Sequence, residues 1–199
     1  MDTLLFLITI ISVLVLLIRL IIKLVKRKSI AGTSKLTGII LLAYSIIWLI
    51  FYGTATNQVV PLASDICFDD WCATVIKIDK TGNLGSIIAK GQFIILHIKM
   101  SNHARGIAQK PSEPRVHISD SQNNLWAVSA IGQQAFEKIM GKQIALDQKL
   151  ELHQSLETQF VFDVPKDAND LVILIEEGPF ITKFLIPGNK KVFKIQSNQ

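Results

Sequence analysis

Cysteine is scarce in this chain: its 199 residues hold two, Cys67 and Cys72, both inside the stretch CFDDWC. Two cysteines cannot frame a disulfide-rich miniprotein or a four-cysteine zinc site, and their spacing is not the Cys-x-x-Cys of thiol oxidoreductases. Signatures of catalysis are missing as well. There is no Gly-x-Ser-x-Gly elbow, no His-Glu-x-x-His and no phosphate-binding glycine loop, nor any Asp-x-Asp-x-Asp-Gly run for calcium. Glu176 and Glu177 are adjacent, so on a strand they point to opposite faces and cannot converge on one substrate. Excess charge is absent where it would matter. The formal net charge is +5, yet after Ala55 fifteen Lys and Arg balance fifteen Asp and Glu. A nucleic-acid reader carries a basic field over its folded domain, and this one has none. These absences lead to the expectation of a non-catalytic protein with no cofactor and no nucleic-acid partner.

What the first fifty residues do hold is hydrocarbon. No charge falls between Leu4 and Ile18, and the apolar run resumes after Arg19 to reach Val25. About 22 residues at roughly 1.5 Å each cover a hydrocarbon core of roughly 30 Å. A second uncharged run, LTGIILLAYSIIWLIFYGTA, carries Tyr44, Trp48 and Tyr52 toward one end, as a helix anchored at headgroup level does. We expect transmembrane helices at about 4–25 and 36–54 within a membrane unit 1–55. The alternative for the first run is a cleaved signal peptide, which calls for a basic start, whereas this chain starts Met-Asp-Thr and its basic residues follow the apolar stretch. Arg19 and Lys23 fall in the last turns of that span, where long side chains reach the interface. Between the runs lie Lys26, Arg27, Lys28 and Lys35, and short loops rich in Lys and Arg stay in the cytoplasm. This orientation leaves a linker, 56–66, and a domain, 67–199, outside the cytoplasmic membrane, in the periplasm or the extracellular space.

In an oxidising compartment the simplest reading of Cys67 and Cys72 is a disulfide. Five residues of extended chain would hold their Cα atoms roughly 17 Å apart, so Phe68–Trp71 must turn back, and Asp69 and Asp70 suit a turn. A metal or redox role for the pair remains open at this point, as does a calcium contact through Asp69 and Asp70.

From Trp71 onward the chain alternates in short runs between turn residues, the pattern of an all-β sandwich. In WCATVIKID, Cys72, Thr74, Ile76 and Ile78 share one predicted face; in QFIILHIKM, Ile94, Leu96, Ile98 and Met100 form an apolar row. RVHIS and LWAV read as a hairpin about Asp120–Asn124, with Val116 and Ile118 inward. TQFVFDVP puts Thr158, Phe160, Phe162 and Val164 on one face, and LVILIEE, FITKFLIP and VFKI complete about eight strands. One segment departs from this rhythm. Ala135, Phe136, Ile139 and Met140 recur at helical spacing before Gly141, which predicts either a short helix over 131–141, packed on an open end of the sandwich, or a functional loop.

The stretches FIILHIKMSN, HISDSQNNLW and FVFDVPKDANDLVILI, in this order, resemble bacterial immunoglobulin-like β-sandwich domains of the telokin-like, immunoprotective-extracellular type. The resemblance covers roughly 71–187; where many members carry a Pro-Gly turn before the Phe-Asp-Val-Pro strand, this chain reads ELHQSLET. It implies an immunoglobulin-like fold on an envelope protein and brings no catalytic residues. Two functions follow as expectations. The first is a binding or scaffolding module, tethered in the bilayer and contacting an envelope or membrane protein. The second is a small-ligand or metal carrier accessory to transport, with copper or zinc held by His97, His117, Met100 and His103.

Overall fold

The structure is a computed structural model that describes residues 3–26, 29, 31–179 and 190–195. These residues fall into two compact units, a helical one up to Thr56 and a sandwich that begins at Asn57.

The helical unit consists of α1 (Thr3–Val25) and α2 (Ala31–Thr54). Nearly every apolar side chain described on them faces outward, which in water would be prohibitive; residues 7–25 and 31–54 are each long and apolar enough to cross a membrane. Leu16 and Thr33 are buried where the helices meet, and Lys23 Nζ donates to Thr33 Oγ1 at 2.7 Å. Trp48 stacks on Tyr52 one turn later, with ring centroids 5.1 Å apart. The second helix begins five residues earlier than its apolar run and takes in Lys35. Polar residues can continue a helix beyond hydrocarbon, and here Thr37 Oγ1 donates back to the Thr33 carbonyl at 3.0 Å. Arg27 and Lys28 lie outside the described residues.

The sandwich contains β1 (Asn57–Val60), β2 (Asp65–Phe68), β3 (Trp71–Leu84), β4 (Ile87–Asn102), β5 (Arg115–Ser119), β6 (Leu125–Trp126), α3 (Ala130–Met140), β7 (Ser155–Val164), β8 (Val172–Glu176) and β9 (Lys190–Lys194). One sheet has the order β1-β9-β8-β5-β6 and the other β2-β3-β4-β7. The first is mixed, because β1 runs parallel to β9, with Asn57 opposite Lys190 and Val60 opposite Phe193. The predicted linker 56–66 is therefore largely structured: NQVV is too short and polar to announce a strand, and its form comes from pairing with residues far along the chain. FITKFLIP lies outside the described residues.

The main core fills the space between the sheets. Ile94, Leu96, Ile98 and Met100 line it, as the apolar row of β4 predicts, against Phe162, Ile173 and Phe193. On β3 the predicted face is corrected. Trp71, Ala73 and Val75 face the core, and an irregularity between Val75 and Lys77 then reverses the phase, so that Ile78 joins them while Ile76 points out. A β-bulge shifts the strand by one residue, and no period-2 pattern anticipates it.

The other side of β4 and β7 carries a second, smaller core. Phe93, Ile95 and Val161 are covered there by Ala135 and Phe136 of α3. The helix thus lies on the outer face of a sheet and not on an open end of the sandwich, because β4 and β7 are apolar on both faces. Ser129 caps its start by accepting from the Gly132 amide, and Gly141, at φ 90°, ends it. Gly132 is the close-approach residue: a Cβ there would meet Val161 Cγ1 at 2.8 Å and Phe93 Cε1 at 2.9 Å. Ile139 and Met140, expected to cover core, are exposed.

Candidate functional site

The corner of the sandwich where β2, β3 and the end of β4 meet brings the two cysteines together with an aspartate and a histidine. It begins with a tight hairpin. Asp69 adopts φ 52°, in the left-handed region where Asp is tolerated, and this lets Phe68 pair with Trp71 and Cys67 pair with Cys72. Cys67 and Cys72, directly opposed with Cα atoms 3.9 Å apart, are joined by a disulfide. Cys72 is buried and Cys67 is exposed.

Two further groups are brought to this hairpin by the ladder. Asp65, at the start of β2, lies opposite Thr74, whose hydroxyl donates to Asp65 Oδ1. His103 follows β4; its amide donates to the Asp70 carbonyl at 2.8 Å, which ties the residue to the turn. Its Nε2 lies 3.0 Å from Ser101 Oγ and 3.9 Å from Asp65 Oδ2. Ser, His and Asp therefore meet here, but through one nitrogen. A hydrolytic relay needs the serine and the carboxylate on opposite ring nitrogens, so this corner lacks that geometry.

Asn102 fixes the loops behind it. Its buried side-chain amide donates to the carbonyls of Ile107, Leu150 and Glu151 at 3.0–3.2 Å, and its Oδ1 accepts from the Ala104 amide at 2.9 Å. Lys99, Ser101, His103, His153, Ser155 and Asp65 line an open polar cleft of about 350 Å³.

The remaining predicted ligands are elsewhere. His97 is on the outer face of β4, where its Nε2 lies 2.8 Å from Asp79 Oδ2. Lys77 Nζ reaches the same oxygen at 2.8 Å, and this hydrogen bond foremost, aided by His97 against some desolvation, holds the Asp79 carboxyl below its ordinary range. His117 belongs to β5 in the other sheet, so it is no neighbour of His97, and Met100 points into the core between the sheets. The set His97, His117, Met100 and His103 is not brought together.

A second feature lies at the start of α3. Ile88, Phe93, Trp126, Ile131 and Pro165 line a mostly apolar cleft of about 570 Å³, with Lys90 at its edge. Ile88 is 80 % and Ile131 62 % exposed, so the cleft continues into open apolar surface. Beneath it Asp163 accepts from the amides of Lys90 and Gly91, both at 2.9 Å. Gly91 lets β4 pass this close to β7; a Cβ would stand 2.2 Å from the Val164 carbonyl oxygen.

No protein-family model and no curated protein matches the chain. Among solved structures it is similar to MPT63, a secreted protein from Mycobacterium tuberculosis, at 11 % identity over 71 % of this chain and 100 % of that one, with a TM-score of 0.47. A conserved hypothetical protein from Bacillus anthracis gives 14 % identity over 62 % and 96 % of the two chains, with a TM-score of 0.45. An uncharacterized β-sandwich protein from Clostridium difficile gives 11 % over 72 % and 98 %, with a TM-score of 0.44. Identities this low bear on fold alone, and scores below 0.5 leave the fold to rest on the sheet order itself. By that order the chain is a β-sandwich protein preceded by two apolar helices.

Proposed function

We propose that this chain is a non-catalytic binding module, anchored in the cytoplasmic membrane by two helices, whose exported sandwich docks a protein of the cell envelope on the apolar cleft at α3. The anchor reading draws on the outward-facing hydrocarbon of α1 and α2 and on the basic residues Lys26, Arg27, Lys28 and Lys35 between and beside them. The disulfide supports placing the sandwich in an oxidising compartment.

The sandwich is of immunoglobulin type in this reading, and the sheet order supports it. Such domains put strands A, B and E in one sheet and C, F and G in the other, with C′ beside C in the variable form. Here β3, β4 and β7 take the places of A, B and E, while β5, β6, β8 and β9 take those of C, C′, F and G. Between β6 and β7, where strand D would come, stands α3. The chain keeps no cysteine pair between the two sheets, so its only staple is at the hairpin.

The observation that carries docking is the cleft beside this helix. Large apolar side chains left open around a concavity mark a contact surface, and the chain beyond Ala55 carries no net formal charge. A photo-crosslinking amino acid placed at Ile131 in intact cells should yield a discrete adduct with one envelope protein. The adduct should vanish when Ile88→Asp is added. A crosslink pattern unchanged by that charge, or no adduct above that of a probe at Gln122, refutes docking at this cleft.

A further inference from the structure

The hairpin corner contains one arrangement that docking does not use. Asp65, Cys67, Cys72 and His103 each offer one ligand atom, and these four atoms lie within 4.8 Å of one another. Two of the four are occupied as long as the sulfurs are bonded to each other. We propose that reduction of the Cys67–Cys72 disulfide converts this corner into a Zn²⁺ site with the ligands Cys67 Sγ, Cys72 Sγ, a His103 ring nitrogen and an Asp65 carboxylate oxygen.

The geometry is suited to zinc. Bond lengths of about 2.3 Å to sulfur and about 2.0–2.2 Å to nitrogen and oxygen place tetrahedral ligands roughly 3.4–3.8 Å apart. The four atoms need to close by only about an ångström, apart from the sulfurs, which must separate. Two thiolates with one imidazole and one carboxylate select zinc over magnesium and calcium, which take oxygen. Opening the disulfide does not scatter these ligands. Cys72 is held in the ladder opposite Ser101, Cys67 stays opposite Cys72 through the neighbouring pairs Ile66–Ala73 and Phe68–Trp71, and the His103 amide is bonded to Asp70. Thr74, by donating to Asp65 Oδ1, leaves Oδ2 turned toward His103, the role that outer hydrogen bonds play around a metal ligand.

The redox step balances with a dithiol reductant. Its thiolate attacks the exposed Cys67 sulfur, the S–S bond breaks and Cys72 leaves as thiolate. The second thiol of the reductant then attacks the mixed disulfide, releases Cys67 as thiolate and departs as the reductant's own disulfide. Two electrons have entered the protein; Zn²⁺ binds the two thiolates, and the two protons of the dithiol pass to solvent. Reoxidation by a disulfide oxidant, which takes back the two electrons and leaves as a dithiol, expels the ion. The corner is thus a cation site closed in the oxidised chain and open in the reduced one, and it is independent of docking at α3.

The test uses the full-length chain in detergent micelles, reduced with a phosphine that is removed before anaerobic titration. Zn²⁺ binding is read by competition with a chromophoric chelator, Co²⁺ by its spectrum, and folding by near-ultraviolet circular dichroism. The oxidised chain should bind neither ion. The reduced chain should take one Zn²⁺, and Co²⁺ should show tetrahedral visible bands with thiolate-to-metal charge transfer. His103→Ala and Asp65→Asn should each weaken Zn²⁺ binding about tenfold or more while leaving the oxidised fold unchanged, and His97→Ala should have no effect. Reduced, folded chain that binds no metal, or binds it as tightly in His103→Ala as in the wild type, overturns the proposal. Loss of the near-ultraviolet signal on reduction overturns it equally, because the site depends on the intact ladder.

Discussion

Adding one methyl group at Gly132 tests the account of α3. Alanine in place of glycine inside a helix normally stabilises by about 1 kcal/mol, so propensity alone predicts a gain for Gly132→Ala. The structure predicts a loss. The new Cβ would stand 2.8 Å from Val161 Cγ1 and 2.9 Å from Phe93 Cε1, and both side chains are fully buried and unable to give way. Carbon atoms rest about 3.5–4.0 Å apart, so the helix must lift by roughly an ångström, loosening Ala135 and Phe136 with it. Overpacking of this kind costs about 1–3 kcal/mol. Set against the propensity gain, a net loss of up to about 2 kcal/mol follows, which for a domain of this size lowers Tm by up to about 8 °C. Val161→Ala removes the nearer obstruction. It should itself cost about 2 kcal/mol, but in that background the loss from Gly132→Ala should shrink, with only the Phe93 ring, 2.9 Å from the new Cβ, left to obstruct it, a coupling of about 0.5 kcal/mol or more. The assay is thermal unfolding of the full chain in micelles, followed by near-ultraviolet circular dichroism. A rise in Tm for Gly132→Ala in the wild type, or the same loss in both backgrounds, would refute the close packing of α3 on β4 and β7.

Gly91→Ala should be more damaging, because its Cβ meets backbone, the Val164 carbonyl oxygen at 2.2 Å and Pro165 Cα at 2.7 Å, and backbone cannot rotate away. We expect a loss above about 3 kcal/mol or failure to fold; a Tm within about 2 °C of wild type contradicts the observed approach of β4 to β7. Asn102→Ala takes the side-chain partner from the Ile107 carbonyl and the Ala104 amide, while the Leu150 and Glu151 carbonyls keep the amides of Gln109 and Gln154, and should cost about 2 kcal/mol, with faster hydrogen exchange at Ala104. Unchanged exchange there would show that Asn102 does not organise the loops. Asp79, held below its ordinary range chiefly by Lys77, contributes stability that is present above the unfolded value near about 3.9 and is lost as pH falls through its lower folded value. The gap in Tm between wild type and Asp79→Asn should therefore shrink as pH falls from about 5 to about 2, and since the pair is partly exposed the gap should be small throughout. A gap that widens with acid would reverse the sign of the Asp79 contribution.

What sequence reading could see was whatever depended on local period. The row Ile94, Leu96, Ile98 and Met100 is visible because a long strand with one face on the core alternates, and Val116 with Ile118 is visible for the same reason. The face of β3 is hidden by one extra residue near Ile76, since a bulge changes phase without changing composition. Strand β1 is hidden because Asn57 and Gln58 have no strand character of their own and acquire it from Lys190 and Lys191. The spacing of Ala135 and Phe136 gives the helix, yet nothing local says which surface it covers; the signal was on β4, where Phe93 and Ile95 make the second face apolar too.

The candidate site divides the same way. Cys67 and Cys72 are close in sequence and a turn can join them, so their pairing is a local inference. Grouping His97 with His117 required knowing that their strands share a sheet, which they do not. Asp65 was missed, and His103 was named as a ligand but grouped with His97, His117 and Met100, because three strands of ladder bring Asp65 and His103 together. The available hint was that Thr74 and Ser101 lie beside Cys72 on strands already expected to be neighbours.

The central claim is that the sandwich stands outside the cytoplasm with its two cysteines joined. A membrane-impermeant maleimide applied to intact cells, with and without prior reduction and followed by mass spectrometry of Cys67 and Cys72, tests it most directly. Labelling of both cysteines only after reduction is the result this account predicts. Free thiols that the reagent reaches only after lysis would place the sandwich in the cytoplasm and contradict it.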